Sequence, residues 1–401
     1  MRIRIGRLWS QGRLLKSVAL LATAVAIFFL YFWQLAELTS GLSQSEIGTI
    51  KGSLGWQNIV TDPLNLAHKV PQYILLQFDG GIFTARLPSA LFIALFVGLF
   101  YLMVKLWFGE FIGLMGAILL ASTPLVIILA RQATTGIMLL FIIAIITAHL
   151  WLSKRDKYRS FAWISLCTTV ALGLYIPGLV WFIAPAFLIV GKKTLRMTKT
   201  INHWAVTCGF GLLILLTIPL VLAIINTPSL VPDLAAIPDR LPGPIEFVKT
   251  LGWTVLSIFW HQPLINEFSV GRLPILSLAV VFLSIFGAFA LWTRARGVLH
   301  WLVAILLGSI TLSALNKSTA FLLPTVMVAS VLAAAGLRYL FVEWNSIFPK
   351  NPIPRVLALI LIGAVVGINF AYGVRYGLFA WPNTPQTKAI YVLEYPLDTK
   401  E

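Results

Sequence analysis

Charge is the scarcest commodity in this sequence: 11% of its 401 residues are Asp, Glu, Lys or Arg, against about 25% in a soluble domain. Acidic residues are scarcer still, 14 against 30 Lys plus Arg. No single soluble core absorbs a chain that is 59% hydrophobic, so an ordinary soluble enzyme is excluded. There are two cysteines, Cys167 and Cys208, both in apolar runs without metal-ligand spacing. Both are expected to pack as small apolar side chains, and they report nothing about redox compartment. A phosphate-binding Gly-rich loop ending in Lys-Ser/Thr, HExxH, paired CxxC motifs and a fixed-period repeat are all absent. Their absence removes the usual ATPase, zinc-protease and zinc-ribbon readings. The sequence requires no metal and names no cofactor.

What is present is a series of apolar runs of about 20 residues separated by short basic loops, the pattern of a polytopic membrane protein. The formal charge of +16 comes from clusters between the runs, such as Lys154–Arg159, Lys192–Lys199 and Arg294–Arg296, together with the basic segment 1–16. That placement follows the positive-inside rule and argues against nucleic acid as a partner. The expected fold is therefore an all-α bundle of about eleven transmembrane helices with a long first outer loop. The spans are placed at 17–36, 88–107, 111–130, 135–152, two short spans within 161–190, 204–226, 273–292, 298–315, 319–340 and 356–376. The division of 161–190 falls at Pro177-Gly178, because Pro and Gly mark breaks. It also brings every basic cluster to one side. Residues 1–16 are then cytoplasmic, and the first span is retained as an anchor rather than cleaved. Loops 37–87 and 227–272 and the tail 377–401 lie outside, in a multi-pass protein of the cell membrane. The apolar segment 245–261 carries Glu246 and Lys249 near its start and is read as an interfacial or re-entrant helix. Trp56, Trp253 and Trp260 are read as interface anchors.

The first outer loop is long enough to be functional, and two amphipathic helices are expected in it. One begins near Ser43. The other follows Asp62-Pro63, read as a cap and a first-turn proline. Glu46 has two readings: a general base at the mouth of the bundle, or the far end of a Ser43-x-x-Glu46 capping box. Lys69, Arg86, Arg131 and Lys317 lie near the outer ends of apolar helices. They suit either a phosphate oxygen or simple snorkelling to the interface. Asp79, His261, Glu267 and Arg272 are further outer-face polar residues, candidates for an acceptor or loop site.

These motifs, in this order, resemble the C-type integral-membrane glycosyltransferases, in particular the bacterial group related to the aminoarabinose transferase of lipid A and the protein O-mannosyltransferases. The resemblance rests on Glu46 in the first loop, His68-Lys69-Val70-Pro71-Gln72-Tyr73, Ala85-Arg86-Leu87-Pro88-Ser89-Ala90, Arg131 at the start of a span, and Lys317 before Leu322-Leu323-Pro324. It covers about residues 17–340. It implies transfer of a sugar, with inversion, from a polyprenyl-phosphate donor to an acceptor on the outer face. Lys69, Arg86, Arg131 and Lys317 would hold the donor phosphate, and Glu46 would act as the base. Metal use varies across that superfamily. Two positions depart from its pattern: Ser45 stands where a second acid is frequent, and Gly136 stands five residues after Arg131 where an acid is expected. Two other readings stand beside this one. A transporter or flippase would carry paired broken helices and mid-bilayer charges. A catalytically inactive relative would bind the lipid-linked sugar without turning it over.

Overall fold

A computed structural model describes residues 13–154, 156–262, 267–348 and 352–393. The segment 1–12 and Arg155, both assigned above to the cytoplasmic side, lie outside those residues, as does 394–401. Among the described residues there is no β-sheet, only an isolated antiparallel bridge between Leu42 and Leu393. In hydrocarbon every backbone N–H and C=O must be satisfied within its own segment, which leaves the helix as the default for each apolar run.

The helices in chain order are α1 (Arg13–Phe32), α2 (Gln44–Lys51), α3 (Trp56–Thr61), α4 (Leu66–Phe78), α5 (Ile82–Phe108), α6 (Glu110–Ala121), α7 (Pro124–Ala130), α8 (Phe141–Lys154), α9 (Arg159–Gly173), α10 (Val180–Met197), α11 (His203–Asn226), α12 (Leu230–Leu234), α13 (Pro244–Phe259), α14 (Leu278–Arg294), α15 (Arg296–Asn316), α16 (Leu323–Ile347) and α17 (Pro352–Val374). After α17 the chain continues through a π turn, Arg375–Ala380, into two short helices ending at Ile390.

Each of the eleven expected spans corresponds to helix. By length and composition, however, six segments can cross a membrane, or seven when the bent pair α6–α7 counts as one span. The other four of the eleven are α1 and α14, whose apolar parts are shorter, and α9 and α10, which do not meet those criteria. The 161–190 stretch does divide, into α9 and α10. Gly178 takes a left-handed φ of +78° at the break, a conformation that favours glycine. The 245–261 segment is the 16-residue α13, which leaves Ile245, Val248 and Phe259 exposed along its length. The second span begins at Ile82 rather than 88, so Arg86 and Pro88 lie inside α5, and the first loop ends at 81.

The core is organised around α16, where residues 323–337 are buried on every side. Its closest neighbour is α14. The two backbones meet at Gly287 and Gly336, where an added Cβ would lie 1.8 Å from the Leu332 carbonyl oxygen and 2.1 Å from that of Leu283 respectively. The α6–α7 bend of 67° is anchored by a polar link. Asn369 of α17 donates to Ser122 Oγ at 2.8 Å and accepts from Ser277 at the start of α14. Cys167 is buried with Trp163 in a small cluster between α9 and α11, whereas Cys208 is exposed on the bundle surface.

The two ends of the bundle differ. α5 begins beside the first loop and ends at the opposite end. That far end holds Lys105 paired with Glu110, Arg338 donating to the Trp107 carbonyl and Arg294 paired with Glu343.

Candidate functional site

The polar end of the bundle is built by the first loop, the 262–276 stretch and the returning chain 375–393. Leu42 and Leu393 exchange backbone hydrogen bonds at 2.9 and 3.3 Å. Ser40 Oγ donates to the Tyr391 carbonyl at 2.7 Å, and Trp381 Nε1 donates to the Glu267 carbonyl at 3.1 Å. Trp381 and Tyr391 are fully buried, edge to face, with ring centroids 5.4 Å apart. Burial, chiefly, pushes the Tyr391 phenol above its ordinary range, so it remains a neutral donor. The 377–393 stretch, read from sequence as a polar tail, is therefore part of the site's frame. Three aromatics, Phe379, Trp381 and Tyr391, are the signal that marks it.

Glu46 sits at the centre of this frame. The capping box exists: Glu46 N donates to Ser43 Oγ at 3.2 Å, and Ser43 N donates to Glu46 Oε2 at 3.1 Å. The same carboxylate also takes both arms of Arg86, Nε to Oε1 at 2.8 Å and Nη2 to Oε2 at 3.0 Å, and the Ala133 amide at 2.9 Å. Four donors meet a carboxylate that offers about four lone-pair sites, and the residue is 0% exposed. The accessible base expected at Glu46 is thus an enclosed structural anion in this arrangement. To take a proton from an acceptor it would first have to leave Arg86.

Arg86 and Arg131 are enclosed in the same way. Arg86 spends its remaining donors on Thr39 Oγ1 and on the carbonyls of Leu35 and Gly41. Arg131 donates to the carbonyls of Leu30, Trp33 and Gln34, which closes the C-terminus of α1. A guanidinium there satisfies the orphan carbonyls of a helix end. Phosphate contacts through Arg86 or the Nη atoms of Arg131 would need these bonds broken; Arg131 Nε is buried without a partner among the described residues.

The two lysines are placed differently. Lys69 binds Asp62 through both its carboxylate and its carbonyl, each at 2.7 Å, and the Asp62 side chain is half exposed. Lys317, in a left-handed conformation at the end of α15, pairs with Glu246 of α13 at 2.6 Å, with both side chains about half exposed. The hydrogen bond from Lys317 holds the Glu246 carboxyl below its ordinary range. Both lysine-bearing segments are tied to the break between α9 and α10: Asn65 N donates to the Tyr175 carbonyl, Gly178 N donates to that of Leu234, and Asn316 donates to the neighbouring Ala236 carbonyl. Asp62 does not cap α4 as expected. It forms a tight turn onto Leu64 N, and Asn65, in the left-handed region, precedes the helix.

Of the remaining candidates, Asp79 ends α4 at the turn into α5 and His261 follows α13. Arg272 is exposed, and its carbonyl accepts from Gln262 N. Asp79 lies within the first loop; of the other three, Glu267 reaches that loop, where Ser45 Oγ donates to Glu267 Oε2 at 2.7 Å. At Gly136 a Cβ would lie 3.0 Å from that of Ala320. The acid expected there would have to push into the turn that precedes α16. Among the described residues no group of three or more His, Cys, Asp or Glu could hold a metal ion.

His68 was not singled out by the sequence. It is fully buried on α4, with Nε2 3.0 Å from Ser89 Oγ, and burial, helped by the Lys69 charge, pushes its pKa down to about 4. The neutral form is therefore the folded form. Between pH 6.5 and 4 the unfolded chain binds the extra proton, so stability is lost as pH falls through that window. The expected loss from this group between pH 6.5 and 5 is about 2 kcal/mol. Unfolding of wild type and His68→Gln in mixed micelles at both pH values checks it. The variant should show a slope shallower by that amount.

Residues 72–223, less than half of the chain, match the family described as dolichyl-phosphate-mannose-protein mannosyltransferase. No curated protein matches the chain. Among solved structures, ArnT from Cupriavidus metallidurans in the apo state superposes with a TM-score of 0.58 at 14% identity, covering 95% of this chain and 76% of that one. The same protein bound to undecaprenyl phosphate gives a TM-score of 0.54 at 14% identity, with 94% and 75% covered. The archaeal oligosaccharyltransferase AglB from Archaeoglobus fulgidus, in complex with an inhibitory peptide and a dolichol-phosphate, gives 0.58 at 13% identity, covering 95% of this chain and 60% of that one.

Proposed function

We propose that this chain, which has the fold of the C-type integral-membrane glycosyltransferases, moves a sugar from a polyprenyl-phosphate donor to an acceptor at the end of the bundle that carries the first loop, with inversion at the sugar carbon. That end is taken as the outer face of a cell membrane. The observation that carries the reading is the contrast among the four cations. Arg86 and Arg131 are sealed into the frame, while Lys69, itself buried, and Lys317, half exposed, each hold a half-exposed carboxylate that a phosphate can replace. A donor whose leaving group is already a phosphate departs as a stable anion, so it needs cations rather than a general acid. ArnT has been solved with undecaprenyl phosphate and AglB with a dolichol-phosphate, which supports a lipid-phosphate ligand here. Glu46, Arg86 and Arg131 then act by positioning, as they hold the first loop against α5 and α1.

Binding of a polyprenyl phosphate to the purified protein in nanodiscs is the test. Charge-assisted hydrogen bonds contribute about 1.5–3 kcal/mol each, so Lys69→Ala and Lys317→Ala are each expected to weaken binding by roughly 10-fold or more. Unchanged affinity in both variants would remove the phosphate site from these lysines. A second reading, a lipid-sugar-binding protein without turnover, is favoured by the saturated Glu46 carboxylate. Binding without sugar loss, from donors carrying several different sugars, would establish it.

A further inference from the structure

The proposed transfer needs a carboxylate that can reach an acceptor, and Glu46 has neither an exposed oxygen nor a free lone pair. We infer that Glu267, held over the first turn of α2 by Ser45, is the base of this site; the inference rests on the glycosyltransferase reading. The residue is held at two points, one on the side chain and one on the backbone. Its Oε2 accepts from Ser45 Oγ at 2.7 Å, and its own backbone carbonyl accepts from the buried Trp381 at 3.1 Å. Ser45 is itself oriented by Ser43 Oγ, 3.0 Å away, and Ser43 is the residue that caps α2. Ser45 occupies Oε2 of Glu267, and the inference assigns the other oxygen, Oε1, to the acceptor. Unlike Glu46, Glu267 is accessible to solvent. A negative charge beside the N-terminal turn of a helix is also favoured by the helix dipole.

The step balances as follows. The acceptor hydroxyl oxygen forms a bond to the sugar C1 as the C1–O bond to the lipid phosphate breaks. The electron pair of that bond leaves with the polyprenyl phosphate. The acceptor proton passes to Glu267 Oε1 and then to water.

The experiment uses the full-length protein in nanodiscs with polyprenyl-phosphate mannose, glucose or arabinose. A membrane extract and water serve as acceptors. Glu267→Gln is expected to bind polyprenyl phosphate within about 3-fold of wild type and to lose turnover by about 100-fold or more, the range of a general base. Glu267→Asp should keep part of the activity, and the acid limb of the kcat/KM pH profile should disappear in Glu267→Gln. Those last two readouts separate a base from a residue that merely holds the fold. Turnover by wild type together with full turnover by Glu267→Gln overturns this inference and leaves the transferase reading standing. Donor binding by wild type without turnover on any sugar overturns both.

Discussion

Alanine at Arg86 is expected to destabilise the protein by about 3–5 kcal/mol, the magnitude for removing one partner of a buried ion pair. The Glu46–Arg86 pair is almost completely enclosed, with side-chain exposures of 0% and 1%. Removing the guanidinium leaves a carboxylate in a low-dielectric site with two of its four donors gone. It also takes the guanidinium donor from Thr39 Oγ1 and the Leu35 carbonyl, and one of two donors from the Gly41 carbonyl. Two loop segments lose their tie to α5 at once. The double replacement Glu46→Leu with Arg86→Met should recover much of the loss, because a buried pair replaced by apolar side chains of similar volume is often neutral. Equilibrium unfolding in mixed micelles measures both. An Arg86→Ala protein within about 1 kcal/mol of wild type would mean that the pair is not the keystone its geometry makes it.

The second large effect is expected at the α14–α16 crossing. A methyl group at Gly287 would sit 1.8 Å from a backbone oxygen of the facing helix, and one at Gly336 2.1 Å from another. Backbone cannot rotate away as a side chain can, so the helices must separate along their whole contact. Overpacking in tight cores costs about 1–3 kcal/mol and occasionally more, and Gly287→Val should lie at or beyond the upper end. The control is Gly363 of α17, where an added Cβ meets nothing within 4 Å. Alanine there should be neutral or stabilising by up to about 1 kcal/mol. If both glycines tolerate alanine equally, close backbone approach does not set the stability of this bundle.

Much of the fold was legible because membrane helices announce themselves by composition. The break in 161–190 was readable from Pro177-Gly178, since a left-handed φ needs glycine. The second span, expected from 88, belongs to a helix that starts six residues earlier, at Ile82, and carries Pro88 as an interior residue. Local signals at the site were also readable: Ser43-x-x-Glu46 is a capping box in sequence and in structure. What the sequence does not encode locally is the partner that completes Glu46. Arg86 lies 40 residues away and Ala133 lies 87 residues away. The four cations looked alike in sequence because each stands at a helix end. Only packing separates the two sealed guanidinium groups from the two lysines with replaceable partners. Glu267 was named among four outer-face residues, but nothing in its neighbourhood in the chain points to Ser45.

The bridge between Leu42 and Leu393 also sets an order of events during synthesis. Ser40 and Tyr391 are 351 residues apart, so the first loop leaves the ribosome long before its partner segment exists. Contacts of such separation form late. The membrane helices can all be inserted while the first loop remains open, and the site closes only when residues 381–393 return to it. A protease cut or a bulky fusion within that last stretch would therefore act as a lesion in the first loop, leaving a fully inserted bundle with an unfinished mouth.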